Sequence, residues 1–391
     1  MNAPSRSPWW KPPYPWFGGK GRAAHLIWAA IGAVPNYVEP FFGGGAVLLA
    51  RPHEPGIETI NDMDSDVSNF WRAVGWPDPL TRHRRTMQVA EIVANWADYP
   101  VSEVDLHARH RWLVERLPAH RERMRRDPKY FSPERAGWWV WGLCQWIGSG
   151  WCTKPENGQR PDLHKRGSGV VSKRARGVGS PRPPLHSGNG INGSRRARDL
   201  SGASEWQKRP VLGQRGSRGV TGQIPDINGN DSAAGRGVHA SGKRGGLYDW
   251  MEALAQRMRY VRVCCGDFER ILGPSATTAI GVTGVLLDPP YSAEAARDPS
   301  LYAEEDLQVA HRARTWALNH GDDPRMRIVL CGYEGEHDMP ASWRCVPWKA
   351  VGGYAAAAGN SENAHRERLW LSPHCLQLEG DAQRSLFEAR P

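Results

Sequence analysis

Val38-Glu39-Pro40-Phe41-Phe42-Gly43-Gly44-Gly45-Ala46-Val47 reads as the end of a short strand, a glycine turn and the start of a helix. The strand is predicted over Tyr37–Phe41. Glycines at such a turn accept positive φ and let backbone approach a ligand with no Cβ in the way, and the helix behind them offers unpaired N–H groups. A second strand is predicted over Ile57–Asn61, with Asp62-Met63-Asp64-Ser65-Asp66 at its end. A carboxylate roughly 20 residues beyond a glycine turn is placed to accept hydrogen bonds from ribose hydroxyls. Asp62 is the candidate. Asp64 and Asp66 read as the N-cap and first-turn residues of the next helix.

Working outward, Val261–Cys265, Gly284–Leu287 and Arg327–Cys331 predict three buried strands, with Glu304–Asn319 as the helix between the last two. Trp343–Trp348 and Glu367–Leu371 predict a closing hairpin. Leu247, Met251, Leu254 and Met258 share one face of a helix. Alternating strands and helices argue for an α/β chain with a doubly wound, Rossmann-like, mostly parallel sheet. Residues 1–76 and 246–391 are its two parts, and the interruption between the second and third strands holds two different segments. Residues 77–151 are rich in Arg and Trp and predict a mainly helical domain. Its Trp138, Trp139, Trp141, Trp146 and Trp151 read as the core of that domain, while Arg82, Arg84, Arg85, Arg121, Arg123, Arg125 and Arg126 are candidate phosphate contacts.

Residues 152–245 are of another kind. They hold 18 of the 43 glycines and 18 Lys+Arg against 6 Asp+Glu, whereas the rest of the 391-residue chain carries 33 against 35. The net charge of +10 thus comes from this one segment. With almost no apolar periodicity, it is expected to be a flexible basic insertion, a solvated linker or an arm that tracks nucleic acid. The longest near-apolar stretch, Phe41–Ala50, is half the ~20 residues a membrane-spanning helix needs. Met1–Pro13 has no apolar core of a secretory signal. Seven cysteines without a C-x-x-C pair suit a reduced cytosolic protein with no structural metal.

Asp288-Pro289-Pro290-Tyr291, after the Gly284–Leu287 strand, is the most specific chemical signal. An acidic side chain, a rigid proline carbonyl and an aromatic face together suit a planar heterocycle bearing an amino group. Trp16-Phe17-Gly18-Gly19-Lys20, ahead of the first strand, is by itself a loop entering a helix.

Together these pieces resemble the Dam-like, D12 class of adenine-N6 DNA methyltransferases: the FGGK element, VEPFFGGGAV, IND and DPPY, in that family's order, with the target-recognition insertion between the second and third strands. The resemblance covers residues 14–76 and 247–375, including the tail Arg366-Glu367-Arg368-Leu369-Trp370 before Ser372-Pro373-His374-Cys375. It is loose over 77–151 and lost over 152–245.

The resemblance implies S-adenosylmethionine as methyl donor and double-stranded DNA as partner. Trp16, Gly18, Gly19 and Lys20 would flank the donor's methionine end, with Glu39, Phe41, Gly43 and Gly45 lining the same pocket. Asp62 would hold its ribose and Asp267 its adenine amino group, although Asp267 also reads as a helix N-cap. Asp288, Pro289, Pro290 and Tyr291 would carry catalysis, with Tyr291 stacking on a flipped base. The implied enzyme is a monomer or weak dimer in a bacterial or phage-infected host cytosol. It has no membrane partner and no fused restriction activity, though a restriction–modification setting is expected. The alternatives are cytosine N4, an RNA adenine, or an inactive DNA-binding relative.

Overall fold

The computed structural model describes residues 11–16, 18–75, 84–100, 102–146, 151–152, 244–291, 308–349 and 365–378. The basic segment expected over 152–245, apart from its first and last residues, and Arg82 lie outside the described residues.

Among the described residues seven strands form one open sheet: β1 (Asn36–Glu39), β2 (Ile57–Asp62), β3 (Arg262–Cys265), β4 (Thr283–Leu287), β5 (Met326–Tyr333), β6 (Arg344–Pro347) and β7 (Glu367–Leu371). Their order is β3-β2-β1-β4-β5-β7-β6. The first five run parallel, and β7 lies antiparallel between β5 and β6. The expected closing hairpin is present, with its second strand turned inward. β1 stops at Glu39, short of the expected Phe41, because Pro40 has no N–H to continue the ladder.

Strand side chains alternate between two cores. Tyr37, Ile60, Leu286, Val329, Leu369 and Leu371 pack on one face of the sheet. Val38, Val285, Leu287, Ile328, Leu330 and Trp370 pack on the other. This period of two, with both sides apolar, is what a sheet covered on both faces requires. The first face is covered by α1 (Ala24–Ile31), α2 (Ala46–Leu49), α3 (Ser65–Gly75) and α8 (Arg244–Met258). The stripe Leu247, Met251, Leu254, Met258 of α8 is buried there. The second face is covered by α9 (Val309–His320), whose Val309, Ala313 and Ala317 face the strands.

Between β2 and β3 the chain builds α4 (Arg84–Ala97), α5 (Glu103–Glu115), α6 (Leu117–Arg126) and α7 (Pro133–Gln145). Ser102 and Ser132 cap α5 and α7, their hydroxyls accepting from the N–H of Asp105 and Arg135 at 3.3 and 3.2 Å. Trp139, Trp141, Trp146 and Trp151 are buried, and Trp138 packs against them. The tryptophan run is therefore core.

Two arginines fasten these helices to α3. Arg72 donates to the carbonyls of Met124, Asp127 and Tyr130 at 3.2, 3.1 and 3.2 Å. Arg135 makes a bidentate pair with buried Asp66, Nη2 to Oδ2 at 2.9 Å. Asp66 is the first-turn residue of α3 that was expected, and its buried position also makes it the anchor of α7.

Candidate active site

The carboxyl ends of β1, β2, β3 and β4 bring Glu39, Asp62, Asp267 and Asp288 into one row. Neighbouring strands are in register there, Glu39 against Ile60, Asp62 against Cys265 and Val38 against Val285. From β1 the chain winds outward through β2 and β3, then resumes on the other side of β1 with β4 and β5. The crevice above β1 and β4 is thus the topological switch point at which open α/β sheets bind ligands.

The glycine turn closes the β1 side. Asp62 spans it, Oδ2 accepting from the N–H of Gly43 at 2.8 Å and Oδ1 from that of Asp64 at 2.9 Å. Asp64 in turn caps α3, accepting from the N–H of Asp66 at 2.7 Å. Gly43 and Gly45 hold φ of +49° and +70°, which side chains with a Cβ adopt only under strain. A Cβ on Gly43 would overlap the Trp16 indole, and one on Gly45 would sit 2.7 Å from Phe42 Cζ. The Tyr14 hydroxyl and the Trp71 indole both donate to the Gly43 carbonyl, at 2.8 and 3.0 Å. Sequence offered two reasons for Gly43, positive φ and a close-approaching ligand; the structure shows the first and puts a protein group, Trp16, at the close approach. Glu39 is buried below this turn and accepts from the Tyr37 hydroxyl at 2.9 Å. Burial pushes its carboxyl well above the ordinary range.

Asp267 follows β3 and does two things. Oδ1 accepts from the N–H of Glu269 at 3.0 Å, capping a short 3₁₀ turn, and Oδ2 accepts from Arg312 Nη2 of α9 at 2.9 Å. Phe268, next to it, pairs with Phe41 at 5.1 Å between ring centres. Asp62, Asp267 and this aromatic pair therefore line one stretch of the sheet edge.

The β4 side is a charged cluster. Lys20, only 3% exposed, places Nζ 2.9 Å from Asp288 Oδ1 and 3.9 Å from Glu367 Oε2 on β7. It also donates to the Gly18 carbonyl at 2.9 Å. The Tyr291 hydroxyl donates to the same Glu367 Oε2 at 2.7 Å. Its ring meets Tyr333 edge-on at 4.5 Å, and Lys20 Nζ lies 5.1 Å from the Tyr291 ring and 5.9 Å from that of Trp348. Burial opposes the Lys20 charge, but Asp288 and then Glu367 overcome it and hold the ammonium above its usual range. Burial likewise raises the Asp288 and Glu367 carboxyls, with Lys20 pulling each back.

The expected residues thus fall into two neighbouring groups. Trp16, Phe41, Gly43, Gly45, Asp62 and Asp267 lie along β1 to β3. Lys20, expected with them, joins Asp288 and Tyr291 at β4, and Gly18 and Gly19 form the exposed turn leading to it. Glu367, Tyr333 and Trp348 complete the second group and were not singled out as site residues. Only the Arg366–Trp370 tail hinted at the first of them.

On the helical domain, Arg123, Arg125 and Arg126 of α6 are exposed. Arg123 lies over the Tyr130 ring at 4.2 Å and Arg126 pairs with Glu122 at 3.0 Å.

Residues 16–94 match the D12 class N6 adenine-specific DNA methyltransferase family. The match takes in Trp16 through Lys20, the glycine turn and Asp62, and stops before Asp267 and Asp288. No curated protein matches the chain. The match spans the first two strands and the start of the helical insertion, and the open, mostly parallel α/β sheet around it is consistent with a Rossmann-like methyltransferase fold.

Proposed function

We propose that this chain uses S-adenosylmethionine to methylate a target adenine turned out of duplex DNA, with Asp288 and the Pro289 carbonyl as the hydrogen-bond acceptors for its amino group. An adenine N6 lone pair is delocalised into the ring and is a poor nucleophile. Two acceptors placed on its hydrogens let the nitrogen pyramidalise, freeing the lone pair and aiming it. Pro290 stiffens the backbone that presents the Pro289 carbonyl. Tyr291, anchored through its hydroxyl on Glu367, supplies the aromatic wall for the flipped base.

The residues along β1 to β3 fit a nucleoside sulfonium cofactor. Asp62 has both oxygens fixed by backbone N–H groups, which orients an acceptor-only carboxylate toward a ribose hydroxyl. Asp267, one third exposed, faces an amino group as acceptor, and Phe41 with Phe268 offers an apolar flank for a purine. Trp16, Gly18 and Gly19 border the methionine end, and Glu39, Gly43 and Gly45 shape the floor. When bound, the cofactor supplies a methyl group on a sulfonium. The chain's own residues hold, orient and exclude water. The exposed arginines of α6 and the basic segment 152–245 serve the phosphate backbone.

The observation that carries this reading is a carboxylate, Asp288, at the carboxyl end of β4 beside the switch point and held by Lys20. Nucleoside mass spectrometry on DNA from a host without its own methylation tests it. Expression of the wild type should produce N6-methyladenine, and Asp288→Ala should not. N4-methylcytosine instead would overturn the target base. Soluble wild type that leaves DNA unmodified would overturn the reading.

A further inference from the structure

Lys20 sits between two carboxylates, and only one belongs to the motif expected to hold the target amine. Its Nζ bonds to Asp288 at 2.9 Å and stands 3.9 Å from Glu367. A shift of about 1 Å would exchange one partner for the other at hydrogen-bonding distance. Glu367 is also the acceptor for the Tyr291 hydroxyl, on the same oxygen that faces Lys20. It is 5% exposed and sits on β7, which is paired on both sides by β5 and β6. A carboxylate so placed is a fixed point, whereas Lys20 arrives on a loop between an exposed turn and α1.

This matters because an ammonium and a substrate N6–H compete for one acceptor. While Lys20 is on Asp288, the carboxylate is kept charged but is partly used up. We propose that Glu367 is a positioning residue: it takes Lys20 over from Asp288 when the target amine arrives, and meanwhile holds Tyr291 beside it. The inference rests on the reading of Asp288 given above. It adds that the two carboxylates divide the work, one meeting the substrate and the other its displaced counter-ion. A buried Lys with two carboxylates leaves one negative charge, so neither carboxylate is fully neutralised by Lys20 alone.

The groups facing Asp288 are Lys20 from the N-terminal loop, Glu39 from the end of β1, Tyr291, Cys331 from β5, Glu336 beyond it and Glu367 from β7, which repels Asp288 directly and shares Lys20 with it. Among them Lys20 provides the cation that Glu367 can draw away.

Single-turnover methylation of duplex DNA by the full chain, measured across pH, tests the proposal. Glu367→Gln keeps the shape and an acceptor for Tyr291 but removes the second charge, which leaves Lys20 on Asp288. The high-pH plateau should fall about ten-fold, and the acidic limb should move to lower pH, because Asp288 is then paired more tightly. Lys20→Met should move that limb the opposite way, to higher pH. A plateau loss with an unmoved limb would mean that Glu367 only supports packing, and would overturn the proposal. So would an unmoved limb in Lys20→Met, which keeps the test decisive if Glu367→Gln does not fold. Wild-type activity in the same assay separates the two levels. An inactive wild type removes the Asp288 reading and this inference with it, whereas an active wild type with a superimposable Glu367→Gln profile removes the inference alone.

Discussion

Lys20 Nζ and Asp288 Oδ1 meet at 2.9 Å, joining the loop ahead of the first helix to the end of the fourth strand. The cation sits under the carboxylate that the proposed chemistry needs ionised. Burial raises the Asp288 carboxyl above its ordinary value and Lys20 draws it back only in part. The proton-bound form cannot accept an N6 hydrogen, so the rate should fall as pH drops through this raised value, at higher pH than for an ordinary Asp. Asp288→Asn should cost on the order of 10²–10³ in single-turnover rate, with DNA affinity by fluorescence anisotropy essentially unchanged.

Trp16 and Gly43 make a second test. Gly43→Ala combines a left-handed backbone with a Cβ that meets the indole, whereas Gly45→Ala meets Phe42. Each should destabilise by about 1–3 kcal/mol. Adding Trp16→Ala should recover part of the Gly43→Ala loss and none of the Gly45→Ala loss. A double-mutant cycle in urea measures this coupling.

Asp66 and Arg135 are both almost fully buried. Removing one partner leaves an uncompensated charge, so Asp66→Asn should cost on the order of 3–5 kcal/mol. Because the pair holds α7 on α3, hydrogen exchange should show protection lost first in Pro133–Gln145.

His110 and His120 are held neutral, burial pushing both down to about 4. Asp66 lies 3.7 Å from His120 and opposes this, but burial dominates, with Arg135 and Arg72 also disfavouring a second cation. The unfolded chain binds these protons at its ordinary value near 6.5 and the folded chain does not, so stability increases with pH across this window. Acidification from pH 7 to 5 should therefore cost on the order of 1–2 kcal/mol per histidine. Urea midpoints at the two pH values check this, and His120→Gln should remove its share of the difference.

What was legible in the sequence follows from how local each signal is. β2 and β4 could be read because apolar runs ended in turn or acidic residues, and α8 because four apolar residues kept helical spacing. Asp62, Asp267 and Asp288 stood at predicted strand ends, so topology alone lined them up. The Lys20–Glu367 approach could not be read, because it depends on β7 folding back between β5 and β6. Nothing in Glu367-Arg368-Leu369-Trp370-Leu371 says which neighbours it will take. Nor could Trp16 be seen as the group filling the space over Gly43, since its place depends on Tyr14 and Trp139 packing against it.

The inward turn of β7 also governs when the charged cluster can assemble. During synthesis β5 and β6 leave the ribosome first, and each must wait with an open edge for the last strand to slot between them. The same strand delivers Glu367 beneath Lys20 and Tyr291. Assembly of the charged cluster thereby waits until residue 367 has been made, and a chain interrupted before it would carry its DPPY element without the partner that anchors it.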